Sequence, residues 1–109
     1  MTRSRWASLA MIPLLAMGQA SPAEPSGARQ LELRHLLIQD CGSCHGMTLK
    51  GGLGPALRPA DLEGKPDELL INTILLGRPG TAMPPWQPLL THEEVVWLVE
   101  QLREGVQHD

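Results

Sequence analysis

The chain has 109 residues, with nine Lys or Arg against twelve Asp or Glu, so its formal net charge is −3. This acidic balance argues against nucleic acid as a partner, and the length fits a single domain whose own core is marginal. The sequence contains no Phe or Tyr and only two Cys, which leaves few large side chains for the interior.

The first twenty residues are typical of a secretory signal peptide. Arg3 and Arg5 form a short basic region, residues 6–17 are almost wholly apolar, and residues 18–20 offer small side chains for cleavage. An uncleaved membrane anchor is the alternative, but this stretch, interrupted by Pro13, falls short of the ~20 apolar residues that span a bilayer. We expect an exported chain that does not span the membrane, with a signal peptide over 1–20, a flexible leader over 21–29 and one domain over 30–109.

The first predicted helix, which has leucines at helical spacing from Leu33 onward, runs into the motif Cys41-Gly42-Ser43-Cys44-His45. Such a C-x-x-C-H run is typical of covalent haem attachment, because two cysteines three apart can reach one edge of a porphyrin. A redox disulfide and half of a zinc site are the alternatives. The first lacks a βαβ context and the second lacks another cysteine pair. We therefore predict one covalently bound haem c, held by Cys41 and Cys44, with His45 on the iron.

Segments rich in glycine and proline separate the remaining helices, and the last helix has the clearest start, a capping box formed by Thr91 and Glu94. No segment alternates with a period of two, so we predict an all-α domain. The predicted loops cover 47–62 and 78–89, and the predicted helices begin at Pro66 and Thr91 and end at Gly77 and Gly105.

The second axial ligand follows by elimination among five methionines. Three of them fall in the signal peptide, and Met47, two residues after His45, lies on the same side of the haem. Met83 remains, in a loop that the following prolines hold in a fixed direction. A gap-filling role for Met83 is one alternative. Ligation by a histidine is the other, from His35, His92 or His108.

Ligation by Met83 gives six-coordinate iron with a raised potential and no vacant position for a substrate. The sequence therefore predicts an electron carrier and no enzyme activity. A ligand sensor is the alternative if Met83 is absent from the iron.

The haem motif on a first helix, the run Gly54-Pro55-Ala56-Leu57, the Met83-Pro84 loop and the capped last helix together resemble the class I cytochrome c family. This resemblance implies the class I cytochrome c fold, with three main helices around one covalently bound haem. It also implies that the Pro55 carbonyl accepts a hydrogen bond from the second ring nitrogen of His45. The family's aromatic residue in the last helix falls at Gln101 here, so either the register slips or Trp97, one turn earlier, takes over the packing.

Longer strings, over residues 39–46, 49–57 and 77–86, are similar to cytochrome c-55X, a group of small monohaem cytochromes encoded beside the haem-containing (cd1-type) nitrite reductase of denitrifying bacteria. The resemblance implies a monomeric carrier that donates electrons to that reductase in the periplasm. It also implies an alternative, an accessory factor in the maturation or delivery of the reductase's d-type haem.

Four residues beside the predicted ligands have more open roles. The Trp86 indole N–H either bonds a haem propionate or packs against neighbouring prolines. Lys50, Arg58 and Arg78 lie in or beside the loops around the haem and form either a basic docking patch or scattered surface charges.

Overall fold

The computed structural model describes residues 7–15 and 24–107. Residues 7–15, within the predicted signal peptide, form neither helix nor strand, and the predicted cleavage positions lie outside the described residues. No strand occurs in the described ranges, so the predicted all-α fold is confirmed. The elements are α1 (Gly27–Leu36), a π-helical turn (Leu37–Cys41), α2 (Gly42–His45), α3 (Pro59–Leu62), α4 (Asp67–Leu76) and α5 (His92–Glu104).

Helix α1 begins earlier than the sequence analysis placed it. The Ser26 side chain accepts a hydrogen bond from the Arg29 amide at 3.3 Å, which caps one of the free N–H groups of the first turn. The helix therefore starts at Gly27, and this corrects the C-terminal boundary of the predicted leader, whose last three residues are helical.

The π-helical turn places Gly42 of the haem motif on the same buried side of the helix as Leu33 and Leu37. Leu33 and Leu37 are buried four residues apart, as an α-helix requires, but the next buried position, Gly42, comes five residues later. A π-helical turn adds one residue to the helical repeat, which accommodates this longer step. The segment 27–45 is thus one continuous helical run with a single enlarged turn that ends at the first cysteine, Cys41.

Helices α4 and α5 lie close to where the sequence places them. Helix α4 follows Pro66 and ends at Gly77, whose φ of 67° stops the helix. In α5, Thr91 Oγ1 accepts from the Glu94 amide and the Glu94 carboxylate accepts from the Thr91 amide, at 3.2 and 2.9 Å, so the predicted capping box is confirmed. The predicted loop over 47–62 is wrong at its end, because residues 59–62 form the short helix α3.

Helix α5 packs against α1, α3 and α4 and carries much of the core. Trp97 is 4% exposed, and the Arg34 guanidinium of α1 lies 5.8 Å from the centre of its ring. Trp97 therefore takes over the aromatic packing between the first and last helices, and the Gln101 position does not. The buried core residues are Leu33, Leu37, Leu49, Leu62, Ile71, Leu75, Leu90, Val95, Trp97, Leu98, Val99 and Leu102.

Two arginines tie the ends of α5 to the rest of the domain. Arg29 of α1 forms an ion pair with Glu94 at the start of α5. At the other end, Arg103 bonds Asp67 at 2.6 Å and the backbone carbonyl oxygens of Leu62 and Lys65. Because these contacts hold α5 against both the first helix and the α3–α4 turn, they fix the walls of the cavity that these elements enclose.

Candidate haem site

A cavity of about 730 Å³ lies between the haem motif, α4, α5 and the loop that follows α4. Its wall is mostly apolar, as in small-molecule and cofactor sites in general. Leu70 and Ile74 come from α4, and Leu98 and Leu102 come from α5. The cavity therefore offers a mostly apolar space next to both cysteines.

The two cysteines line this cavity with unbonded thiols. Burial, together with the negative charge of Asp40, raises the pKa of the Cys41 thiol to about 11. A redox or metal-binding cysteine instead needs a readily formed thiolate. No cluster of three or more His, Cys, Asp or Glu side chains able to hold a metal ion occurs among the described residues. Both observations speak against the disulfide and zinc interpretations.

The His45 imidazole is held by the loop that follows the haem motif. Its Nδ1 lies 2.7 Å from the Pro55 carbonyl oxygen. Because a carbonyl oxygen can only accept, Nδ1 must carry the proton, which leaves the lone pair of Nε2 available to a metal.

Gly54 lies directly against the imidazole ring. A Cβ at this position would come within 2.7 Å of His45 Cε1 and 2.8 Å of Nδ1. The Gly54 amide also donates to the Cys44 carbonyl oxygen at 2.8 Å. Only glycine can therefore bring this backbone close enough for the Pro55 carbonyl to reach the ring.

Met83 lies on a separate part of the cavity wall, in a loop clamped to the end of α4. The Arg78 amide donates to the Met83 carbonyl oxygen at 3.2 Å, and the Met83 amide donates to Thr81 Oγ1 at 3.3 Å. Thr81 Oγ1 itself donates to the Arg78 carbonyl oxygen at 2.6 Å. A Cβ at Gly77 would lie 2.7 Å from the Met83 carbonyl oxygen, so a glycine is needed at this approach.

The same loop also completes the C-terminus of α4. The amides of Trp86 and Gln87 donate to the carbonyl oxygens of Ile74 and Leu75, at 3.0 and 3.1 Å. The last carbonyls of a helix lack partners inside the helix. The backbone that carries Met83 is therefore fixed at both of its ends.

The cavity brings together most of the residues that the sequence analysis selected. Trp86 is half-buried there, and Arg78 also lies on the wall. Lys50 and Arg58 are not part of the lining. The selected residues on the wall are Cys41, Cys44, His45, Pro55, Arg78, Met83 and Trp86.

The alternative iron ligands that fall within the described residues do not line the cavity. Met47, His35 and His92 are absent from the cavity lining, and His108 lies outside the described residues.

Arg58 bonds Asp61 at 2.8 Å, and this contact holds the pKa of the Asp61 carboxyl below its usual range. Arg58 is therefore paired within the chain, and the predicted patch of Lys50, Arg58 and Arg78 stays a prediction.

Three residues contribute to the site without having been assigned a role from the sequence. Gly54 shapes the approach to His45, Gly77 the approach to Met83, and Thr81 fastens the Met83 loop. Gly54 lies in the run Gly54-Pro55-Ala56-Leu57, from which the sequence analysis assigned a role only to Pro55. The position of Thr81, two residues before Met83, could have predicted its role, because a threonine hydroxyl can bond the local backbone. Lys65, at the start of α4, also lines the cavity, and nothing in the sequence pattern singles it out.

Comparisons with known proteins give the family of this chain. The family model described as cytochrome C oxidase, cbb3-type, subunit III matches residues 28–101. A protein named cytochrome c55X from Pseudomonas aeruginosa is 52% identical over 100 residues, which cover 92% of this chain and 84% of the relative. The chain belongs to the class I c-type cytochromes. The resemblance to the class I family and to cytochrome c-55X is therefore confirmed.

Two solved structures resemble this cytochrome. A c-type cytochrome NirC superposes with a TM-score of 0.72 and 60% identity, over 73% of this chain and 94% of that one. The dihydro-heme d1 dehydrogenase NirN, solved in complex with DHE, superposes with a TM-score of 0.61 and 32% identity. That match covers 69% of this chain and 16% of the dehydrogenase.

Membership of the family makes the chain an electron carrier and implies haem c as its cofactor and a redox protein as its partner. Within the described residues, no helix has the length and apolar character needed to cross a membrane. The particular ligands, partner and compartment are proposals.

Proposed function

We propose that this cytochrome carries single electrons in the periplasm, as a monomer, to the haem-containing nitrite reductase of denitrification. The observation that supports it best is the convergence of Cys41, Cys44, His45 and Met83 on one apolar cavity. Its volume of about 730 Å³ and its mixture of thiol, imidazole and thioether donors fit a single haem.

In this proposal Cys41 and Cys44 hold the haem through thioether bonds, and His45 and Met83 bind its iron. The haem supplies a reversible one-electron ferric–ferrous couple. The Pro55 carbonyl keeps the imidazole in the tautomer that presents the Nε2 lone pair. The partial negative charge on the carbonyl oxygen makes His45 a stronger ligand. The Met83 thioether favours the ferrous state and raises the potential.

The apolar walls contribute a second effect on the potential. Leucine and isoleucine side chains of α4 and leucine side chains of α5 line the cavity. Since ferric iron carries one more positive charge than ferrous iron, a low-dielectric surrounding disfavours the oxidised state. The chain is thereby built to accept one electron readily and to release it to a stronger oxidant.

The choice of partner and compartment rests on relatives and on the N-terminal pattern. The relative from Pseudomonas aeruginosa is named cytochrome c55X, and the structural neighbour is named NirC. The basic and apolar segments of residues 1–20 have the pattern of an export signal. Mass measurement of the mature holoprotein tests the export step, and we expect a chain that begins at Ser21 and carries one haem.

Electron delivery is tested by mixing the reduced holoprotein with purified cd1-type nitrite reductase in a stopped-flow instrument. We expect rapid oxidation of the cytochrome, and oxidation that is negligible at all reductase concentrations would contradict the proposal. An Arg34→Gln variant, altered at an exposed residue of α1 that is not part of the cavity lining, serves as the control for nonspecific charge effects.

A second candidate function has a specific observation behind it. A segment of the dihydro-heme d1 dehydrogenase NirN is 32% identical to this chain. The alternative proposal is therefore that this cytochrome assists maturation of the reductase's d-type haem, by accepting the electrons released when a dihydro precursor is oxidised. Removal of two hydrogens yields two electrons and two protons, so two oxidised cytochromes would each take one electron while the protons pass to water.

Anaerobic mixing distinguishes the two candidates. Oxidised cytochrome is combined with purified dehydrogenase and dihydro-haem d1, and cytochrome reduction is followed by absorbance. Reduction in this mixture, together with no oxidation of reduced cytochrome by nitrite reductase, favours the maturation role. The opposite pair of results favours electron donation.

A further inference from the structure

A second, shallower hollow of about 420 Å³ lies on the outer side of the Met83 loop. Its lining is part polar and part apolar, and the apolar part includes Leu76, which is 59% exposed, and the exposed prolines Pro79 and Pro85. Exposed apolar surface of this kind marks interaction sites on proteins.

Only one layer of residues separates this outer hollow from the large cavity. The residues that line both spaces are Arg78, Thr81, Ala82, Met83 and Pro84. Because the loop presents one side to each space, a partner seated in the outer hollow would lie a single residue layer from the proposed haem site.

The charges around the outer hollow are unusually sparse. From Leu69 to Thr91 the sequence holds a single charged residue, Arg78. Within residues 24–107, Arg29, Arg58 and Arg103 each pair with a carboxylate, whereas Arg78 forms no ion pair. The surface therefore presents an apolar area with one unneutralised cation at its edge, on a chain whose net charge is negative.

We propose that the outer hollow is the docking face for the electron acceptor, which contributes an apolar projection flanked by a carboxylate that pairs with Arg78. The inference rests on the proposed function and adds to it the surface and the partner chemistry. An apolar contact gives close approach, and a single complementary charge orients it. One electron leaves the ferrous iron through the Met83 loop to the oxidised acceptor.

The test measures the second-order rate of electron transfer from the reduced holoprotein to purified cd1-type nitrite reductase. Leu76→Ser should lower this rate about tenfold, because an exposed leucine that becomes buried at an interface is worth about 1.5 kcal/mol or more. Leu31→Ser is the matched control, since Leu31 is 71% exposed on α1 and lines neither space, and its rate should stay within about twofold of wild type. The midpoint potential and the iron–methionine absorption band should be unchanged in both variants.

The charge is tested with Arg78→Gln against Arg34→Gln, since Arg34 is exposed on α1 and lines neither space. We expect Arg78→Gln to lower the rate about fivefold at low salt and to flatten its dependence on ionic strength. Arg34→Gln should retain the salt dependence of the wild type. If Arg78 instead pairs with a haem propionate, Arg78→Gln shifts the midpoint potential and leaves the salt dependence intact, which overturns the proposal.

The remaining outcomes distinguish failure of the docking face from failure of electron delivery to nitrite reductase. A normal wild-type rate with Leu76→Ser equal to Leu31→Ser overturns the docking face and leaves electron delivery standing. Absence of electron transfer from the wild-type protein contradicts the nitrite reductase proposal and the docking face together.

Discussion

The two sides of the haem cavity restrain their candidate ligands in different ways. On the His45 side, the ring itself is held, by the Pro55 carbonyl at 2.7 Å and by close contact with Gly54. On the Met83 side, only the backbone is held, through Arg78 and Thr81. The thioether sulfur of methionine is a weak hydrogen-bond acceptor, and the methionine side chain is flexible. The comparison indicates that the His45 ring is restrained more tightly than the Met83 side chain.

The largest effect is expected from Gly54→Ala, which disturbs the fixed side. The new methyl group would overlap the imidazole, so either the ring or the loop must move. Overpacking of this kind costs about 1–3 kcal/mol, and loss of the Pro55 hydrogen bond adds to it. We expect a lower yield of holoprotein and a lower thermal unfolding midpoint. Gly27→Ala is the control, because no atom lies within 4 Å of a Cβ at that position. Wild-type stability and spectrum in Gly54→Ala would contradict the account of the His45 side.

Met83→Ala removes the candidate ligand on the other side. The midpoint potential should fall by on the order of 0.1 V, well inside the range of about 0.8 V that axial ligands span. The iron–methionine absorption band of the oxidised protein should disappear. Potentiometric titration and absorption spectroscopy measure the two effects. Met47→Ala, altered at a methionine outside the cavity lining, should change neither. A retained band in Met83→Ala would assign the ligand elsewhere.

Thr81→Val tests the backbone restraint without touching the ligand. Valine keeps the shape of threonine but loses the hydroxyl that bonds Arg78 and Met83. A net hydrogen bond is worth about 1 kcal/mol, so added imidazole should displace Met83 at a roughly fivefold lower concentration. Thr48→Val, an exposed threonine in the loop on the His45 side, is the matched control. Equal imidazole affinity in the two variants would show that Thr81 does not restrain Met83.

The parts of the fold that short sequence patterns encode could be predicted. The capping box at Thr91, the stop at Gly77 and the haem motif each depend on residues within a few positions of one another. The start of α1 was also readable, since Ser26 is a good capping residue. The π-helical turn was not, because helical periodicity over a few leucines cannot show one extra residue.

In the candidate site, too, features set by short sequence patterns could be predicted, and contacts between distant residues could not. The motif residues and Met83 could be selected from their types and spacing, but the contact of Gly54 with the His45 ring is set by a loop that doubles back. Arg29 and Glu94 are 65 residues apart, and only the folded chain brings them together. The large cavity likewise depends on the packing of α4 against α5. Residues far apart in sequence carry no local pattern from which such contacts follow.

The smallest effect is expected at Arg29–Glu94, the contact that links the helix bearing the His45 side to α5. The Arg29 hydrogen bond lowers the pKa of the Glu94 carboxyl from its ordinary value of 4.5, with a further contribution from the Thr91 amide. A lowered folded-state pKa gives stability that is present above the ordinary value and is lost as pH falls through the folded value. Glu94→Gln should therefore reduce the free energy of unfolding by about 0.5–1 kcal/mol at pH 7.

The pH profile distinguishes this charge effect from a loss of packing. At pH 7 the Glu94→Gln protein should be less stable than wild type, and the two unfolding free energies should converge in acid, where the wild-type carboxyl is also neutral. Glu93→Gln is the matched control, since Glu93 lies in the same first turn of α5 and forms no ion pair within residues 24–107. It shares the interaction with the helix dipole, so subtracting its effect leaves the contacts of Glu94 with Arg29 and with the Thr91 amide. A difference between Glu94→Gln and wild type that persists unchanged at low pH would assign the lost stability to packing.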